Sequence, residues 1–301
     1  MKMTKKKWFI LISSTLITAI AVFAILQLPY FQLNSEQREK EEALREQITP
    51  EETENEEETP EESEEVMGDV EEQENTPIAV DEDLENTFEF ASEEDVDIVA
   101  LGDSLTQGVG DDTDQGGYVG ILDRTLQVLD TNVHFQNFGK RGNRTDQLLH
   151  RLEEEPALAE ALEEADMIII TIGANDIMQV LKENIMDLEI SYFNEEQTSY
   201  EERLHEIFDT IRSLNEDASI YLLGIFNPFK NYFEDIPELD QIVLNWNDIG
   251  REIVSENENS TFVPIDDLFD DDAADLFAKD NFHPNYDGYY LMAERILEYF
   301  N

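Results

Sequence analysis

The stretch Asp97-Ile98-Val99-Ala100-Leu101-Gly102-Asp103-Ser104-Leu105 decides the fold class. Ile98 to Leu101 form an unbroken apolar run, which reads as a buried strand, and Gly102 marks where that strand runs into a loop. The pattern returns at Asp166-Met167-Ile168-Ile169-Ile170-Thr171-Ile172, which stops at Gly173, and again over residues 219–224. Two further short strands are predicted over residues 133–138, where apolar and polar residues alternate, and over 261–264. Between the strands, apolar residues recur at helical spacing over 118–129, 145–152, 200–214, 238–255 and 287–300. Strands that alternate with helices, and that are mostly buried runs, indicate a parallel sheet covered on both faces. The expected fold is α/β: a three-layer α/β/α sandwich with a central parallel sheet and no internal repeat.

In such a sheet a ligand sits outside the carboxyl ends of the strands, near the point where strand order reverses. Gly102-Asp103-Ser104-Leu105, Asn137-Phe138-Gly139 and Gly173-Ala174-Asn175-Asp176 each follow or close a predicted strand. A fourth segment, Asp280-Asn281-Phe282-His283, precedes the last helix and returns to the same edge. A serine hydroxyl is a poor nucleophile at neutral pH and needs a base, itself oriented by a third group. Of the histidines, His134 falls in a predicted strand and His150 and His205 on amphipathic helices, where structural or surface roles are expected. His283 instead lies in a polar loop between Asp280 and Pro284. Its spacing lets Asp280 accept a hydrogen bond from one ring nitrogen while the other faces Ser104. Alone, the same loop also reads as Asp280 capping local backbone; the other three segments favour the first reading.

Together these four blocks resemble those of the SGNH, or GDSL, hydrolase family, in order and over residues 97–301. The resemblance implies a flavodoxin-like sheet, with Ser104 as nucleophile, His283 as general base and then acid, and Asp280 orienting it. It further implies an oxyanion held by the backbone N–H groups of Ser104 and Gly139 and by the side-chain amide of Asn175. The residue chemistry agrees: glycine permits close approach of substrate to backbone, and Asn175 is a neutral donor that does not repel the oxyanion. Asp103 and Asp176 are expected to fix their loops by hydrogen bonds.

The surroundings of Ser104 lack Gly-x-Ser-x-Gly, so the nucleophile elbow of the α/β-hydrolases is not indicated. Metal-ligand spacing is absent from the sequence, Gly108-Val109-Gly110 lacks the downstream glycine of a phosphate loop, and Asp270-Asp271-Asp272 reads as a solvated loop. The expectation is therefore no metal and no organic cofactor. The aromatic segment 226–233 offers Phe226 and Phe229 as candidate substrate contacts, either in a pocket wall or in a packed connection over the sheet edge.

The chain carries 72 acidic and 19 basic residues, a formal net charge of −53. That balance disfavours nucleic acid as a partner. Residues 1–7 nevertheless hold Lys2, Lys5, Lys6 and Lys7, and residues 8–31 are nearly all apolar. As a helix that run would rise about 36 Å, enough for a hydrocarbon core of ~30 Å. It is longer than a usual signal-peptide core and ends Leu28-Pro29-Tyr30-Phe31 without a small-residue cleavage pattern. The expectation is a signal anchor with its basic end cytoplasmic; a cleaved leader, giving a secreted protein, is the alternative. Residues 32–91, dominated by glutamate, read as a disordered acidic linker, leaving 92–301 as the hydrolase domain. No cysteine is present, which fits an extracytoplasmic chain that uses no disulfides.

The sequence thus predicts a membrane-anchored, extracytoplasmic serine esterase working through an acyl-enzyme on a lipid, a small acyl ester or an acylated glycan. Alternatives are an O-acetylesterase of cell-surface glycan, a non-catalytic envelope-binding module, and an assembly or adhesion factor acting through the acidic stalk.

Overall fold

A computed structural model describes residues 78, 95–128, 132–184, 187–228, 238–269 and 273–300, all within the compact unit Glu71–Asn301. The predicted membrane helix, nearly all of the predicted acidic linker, Phe229 and Asp270-Asp271-Asp272 lie outside the described residues. Ile78 is the exception: it is buried in the core, and its N–H donates to Thr125 Oγ1 at 3.3 Å. Chain assigned to the linker therefore packs on the domain at that point. Among the described residues no helix is long and apolar enough to cross a membrane.

Five parallel strands form one sheet in the order β2-β1-β3-β4-β5. They are β1 (Val96–Gly102), β2 (Val133–Gly139), β3 (Met167–Thr171), β4 (Ser219–Leu223) and β5 (Ser260–Val263). The helices are α1 (Ser104–Gln107), α2 (Gly117–Val128), α3 (Thr145–Glu154), α4 (Pro156–Glu164), α5 (Ala174–Asn184), α6 (Ile190–Leu214), α7 (Glu238–Glu256) and α8 (Tyr286–Tyr299). Two short 3₁₀ turns, Asp266–Phe269 and Ala273–Leu276, precede α8. Every connection between adjacent strands contains at least one helix, as parallel pairing requires.

The burial pattern explains the sequence pattern. β1 and β3 lie inside the sheet, and Ile98, Val99, Ala100, Leu101, Ile168, Ile169 and Ile170 are all fully buried. β2 is an edge strand: its first four residues alternate between inward-facing Val133 and Phe135 and exposed His134 and Gln136, and the alternation stops at Asn137, which is exposed too. On one face Ala100, Ile169, Tyr221 and Val263 join Tyr118 and Leu122 of α2 and Met292 and Ile296 of α8 in a single apolar cluster. On the other face α7 comes so close that a Cβ at Gly250 would lie 3.2 Å from Leu222 Cδ2.

The predicted elements are found within a residue or two of their expected ends, apart from one early helix start, and three helices are added, the first being the short α1 after β1. Pro156 opens a second helix, α4, where proline suits the first turn because its missing N–H would be unpaired anyway. α5 occupies the stretch after Gly173, and α6 begins ten residues before its predicted start. The early part of α6 is held by burial of Phe193.

The order β2-β1-β3 places the reversal of strand order between β1 and β3, and a crevice forms beside it. Ile168→Ala, fully buried in β3, is expected to cost about 2–5 kcal/mol of stability. Urea unfolding would check this.

Candidate active site

Ser104 is the first residue of α1, directly after β1. Asp103 caps the helix, its Oδ1 accepting from Leu105 N–H at 3.0 Å, and this leaves the Ser104 N–H at the helix mouth without a partner among the described residues. The same Oδ1 accepts from Thr171 Oγ1 at 3.0 Å, and Asp103 N–H donates to Thr171 O at 3.1 Å. Thr171 Oγ1 in turn meets Thr106 Oγ1, which meets the Tyr118 hydroxyl. Thr106 Oγ1 also lies within donating distance of Leu101 O, at 3.3 Å, so these buried hydroxyls form one connected cluster beneath the nucleophile turn. Burial pushes the Asp103 carboxyl up to about 7, against the hydrogen bonds from Leu105 and Thr171 and with a further rise from the charge of Asp176.

His283 arrives from the opposite end of the chain. Its Nε2 lies 3.0 Å from Ser104 Oγ and its Nδ1 lies 2.6 Å from Asp280 Oδ2. Asp280 Oδ1 accepts from the N–H groups of Phe282 and His283, each at 3.0 Å. With Nδ1–H donating to Asp280, Nε2 is the acceptor for the Ser104 proton, as a general base requires. Burial alone would raise the Asp280 carboxyl, but the hydrogen bonds from the His283 ring and backbone and from Phe282 N–H outweigh it and hold the group at about 2.

The ring is fixed from both sides. Ala278 N–H donates to His283 O at 2.8 Å, and Asn285 caps α8 by accepting from Gly288 N–H. Tyr289, fully buried in α8, donates to Val109 O at 2.6 Å and so ties the loop after α1 to the His283 loop. Gly110 makes that contact possible: a Cβ there would lie 2.5 Å from Pro284 O and 2.8 Å from His283 Cβ.

Asn175 begins α5 beside Ser104, and its Nδ2 donates to Asn143 O at 3.1 Å. Its neighbour Asp176 is buried and anchors the helix start. It accepts from Thr145 N–H and, at 2.5 Å, from Thr145 Oγ1, and it pairs with Arg203 at 3.1 Å; Arg203 also pairs with Glu196. Burial pushes Asp176 up to about 6 despite these donors. Both aspartates therefore hold loops, as their positions suggested.

Gly139 does not occupy the place expected of it. Its N–H donates to Asn137 Oδ1 at 2.8 Å, while Asn137 Nδ2 binds Thr106 O. A Cβ at Gly139 would lie 2.2 Å from Gln107 N, so the residue packs against α1 and does not face a cleft. The unengaged backbone N–H in that region belongs to Gly142. Its N–H has no partner among the described residues, a Cβ on it would meet open space, and it adjoins Asn143, whose carbonyl holds the Asn175 amide. A glycine three residues further along the same loop was the available signal.

A pocket next to Ser104 is lined by Leu105, Ile172, Asn175, Ile225, Phe226 and Phe282, among others. Phe226 contributes an edge to it while stacking on Phe269 with ring centroids 4.1 Å apart, so it is both wall and core. Asn247 on α7 brackets Ile225 with two hydrogen bonds, from Ile225 N–H at 2.7 Å and to Ile225 O at 2.8 Å, and so fixes the pocket wall. Nothing local in the sequence marks Asn247 for that task. His134 and His150 are exposed and His205 lies at the surface, 4.0 Å from Glu256, so none of the three reaches the site.

Residues 100–291 match the sequence profile of the GDSL-like Lipase/Acylhydrolase family. The chain belongs to that family. It is therefore a serine hydrolase acting on ester bonds. The uncharacterized protein YpmR of Bacillus subtilis (strain 168) is 33% identical over 225 residues, 72% of this chain and 86% of YpmR. The spore germination lipase LipC of Bacillus licheniformis is 27% identical over 205 residues, 65% of this chain and 92% of LipC. Among solved structures, the lipase Lip_vut3 from a goat rumen metagenome superposes with a TM-score of 0.57 at 25% identity, covering 67% of this chain and 95% of that one. The acetylxylan esterase Axe2 of Geobacillus stearothermophilus superposes with a TM-score of 0.53 at 22% identity, covering 68% and 94%, and shares the fold.

The depressed Asp280 pKa has a consequence for stability. Asp280 binds its proton less readily folded than unfolded, where its ordinary value is 3.8, so its contribution is present above about pH 4 and is lost as pH falls through about 2. Asp280→Asn should lower the thermal midpoint at pH 6, with the gap to the parent closing by about pH 2 in melts followed by circular dichroism.

Proposed function

We propose that this hydrolase cleaves carboxylic esters through an acyl-enzyme formed on Ser104, with its domain held outside the cytoplasmic membrane by residues 8–31. The observation that carries the chemistry is the unbroken hydrogen-bonded line from Asp280 through His283 to Ser104, at 2.6 Å and 3.0 Å.

In this reading Ser104 Oγ attacks the ester carbonyl carbon and its proton passes to His283 Nε2. Asp280 keeps Nδ1 protonated and stabilises the imidazolium that results. The carbonyl oxygen gains a negative charge, met by the Ser104 N–H, the Asn175 amide and the Gly142 N–H, the last replacing Gly139 in the sequence-based assignment. Collapse of the intermediate breaks the acyl–oxygen bond, and His283 returns the proton to the departing alcohol. Water then adds to the acyl carbon by the same route and frees the acid. Donors fixed before reaction need no reorganisation as charge develops, which is why such sites are effective.

The apolar lining of the pocket by Leu105, Ile172, Ile225 and Phe226 favours an acyl chain as its occupant. The likeness to LipC supports a lipid or acyl ester substrate; the fold shared with Axe2 keeps acetyl groups on a glycan as the second reading. The basic, then apolar, N-terminal residues support the anchor, and the acidic stretch after them would space the domain from the bilayer.

Ser104→Ala should lower kcat for p-nitrophenyl esters by roughly 10⁴-fold or more without changing the fold. Asn175→Ala should lower it by about 10²–10³-fold. In a series of p-nitrophenyl esters, a preference for medium or long acyl chains would support the apolar-pocket reading, and turnover confined to acetate would support the glycan one.

A further inference from the structure

Resting on that esterase reading, we propose that Lys140 and Arg141 form an anion-binding edge that selects esters whose alcohol portion carries a phosphate group. The loop after β2 is tied down at points that surround the nucleophile. Lys140 N–H donates to Gly102 O at 3.0 Å, two residues before Ser104. Arg141 N–H donates to Gln107 Oε1 at 2.6 Å, three residues after it. Asn143 O receives the Asn175 amide. The backbone of this loop is thus held against the site, while the side chains of Lys140 and Arg141 are exposed.

Neither side chain has a hydrogen-bond or ion-pair partner among the described residues. Lys279 shares that condition but stands alone, and Arg124 and Arg212 reach oxygens other than carboxylates. Elsewhere on the domain Arg151, Arg203, Arg251 and Arg295 each reach a carboxylate. Two adjacent cations left without counter-charge, on a backbone pinned in place, form a ready site for an external anion. Two positive charges suit a phosphate, which carries up to two negative charges, and the guanidinium fork can meet two of its oxygens.

Sheet order determines which part of the substrate carries that phosphate. The pocket opens on the β3–β4 side of Ser104, lined by Ile172 and Ala174 after β3 and by Gly224 and Ile225 after β4. The cationic loop leaves β2 on the other side. Adjacent strands are ~4.8 Å apart, so the loop stands about 5–10 Å from the nucleophile. An ester with its acyl chain in the apolar pocket directs its alcohol toward the β2 side, and that span matches a phosphorylated glycerol or sugar unit.

The test compares the full-length protein on 1-octanoylglycerol 3-phosphate and on neutral 1-octanoylglycerol, both as monomers at ~0.02 M salt. Wild type should show kcat/KM at least about fivefold higher on the phosphate ester, falling toward parity at roughly 0.5 M salt. The Lys140→Gln/Arg141→Gln double variant should lower the ratio of phosphate to neutral ester by about tenfold, because it removes two charge-assisted contacts. Vesicles of phosphatidylglycerol separate the sources. Variant-sensitive hydrolysis there as well assigns the phosphate to a lipid headgroup, and sensitivity confined to the monomer assigns it to a soluble ester. A wild-type ratio at or below one, or a ratio unchanged in the double variant, overturns the proposal. If p-nitrophenyl butyrate is turned over in either case, the esterase reading survives; if it is not, that reading has failed too.

Discussion

At the carboxyl end of β1 the backbone of Gly102 lies against that of Thr171 on β3, so closely that a Cβ would sit 2.1 Å from the Thr171 carbonyl oxygen. Gly102 has φ +147°, a conformation that side chains other than hydrogen rarely tolerate. Much of the site depends on that contact. It lets the chain leave β1 with Asp103 under Thr171, which sets the start of α1 and presents Ser104 at the helix mouth. It also leaves the Gly102 carbonyl to receive Lys140 N–H, which brings the loop after β2 to the same place. A larger residue at position 102 would push apart the two strands that flank the crevice.

The site is then stabilised by buried polar groups that each have partners. Asp103 holds the nucleophile turn and Asp176 holds the start of α5, each at the expense of burying a carboxylate whose pKa rises toward neutrality. Asp280 goes the other way: it is only half buried, so its hydrogen bonds outweigh the desolvation that prevails at the other two. The extent of burial therefore divides the three aspartates into two scaffolding groups and one that faces His283 as an anion.

What the sequence revealed followed from locality. Ile98 to Leu101 and Ile168 to Ile170 are buried on both faces, so their apolar runs announced interior strands directly. Asp280 and His283 are three residues apart in one loop, and their contact could be read from spacing. Contacts across the chain were not legible: Asn247 on Ile225, Arg203 on Asp176, and Gln107 on Arg141 are made by residues whose neighbours give no hint. α5 was missed because Asn175 and Asp176 begin it with polar residues that read as loop, and its apolar face is satisfied only by packing. Gly139 and Gly142 could not be told apart by sequence, since the difference between them is the Asn137 side chain, which consumes one N–H and leaves the other.

The most direct measurement is covalent labelling with a fluorophosphonate, read by mass spectrometry of the intact protein and of its peptides. The account predicts one adduct per chain, located on Ser104, strongly slowed by His283→Ala and absent from Ser104→Ala. An adduct on another residue, or no adduct on a folded protein, would contradict it.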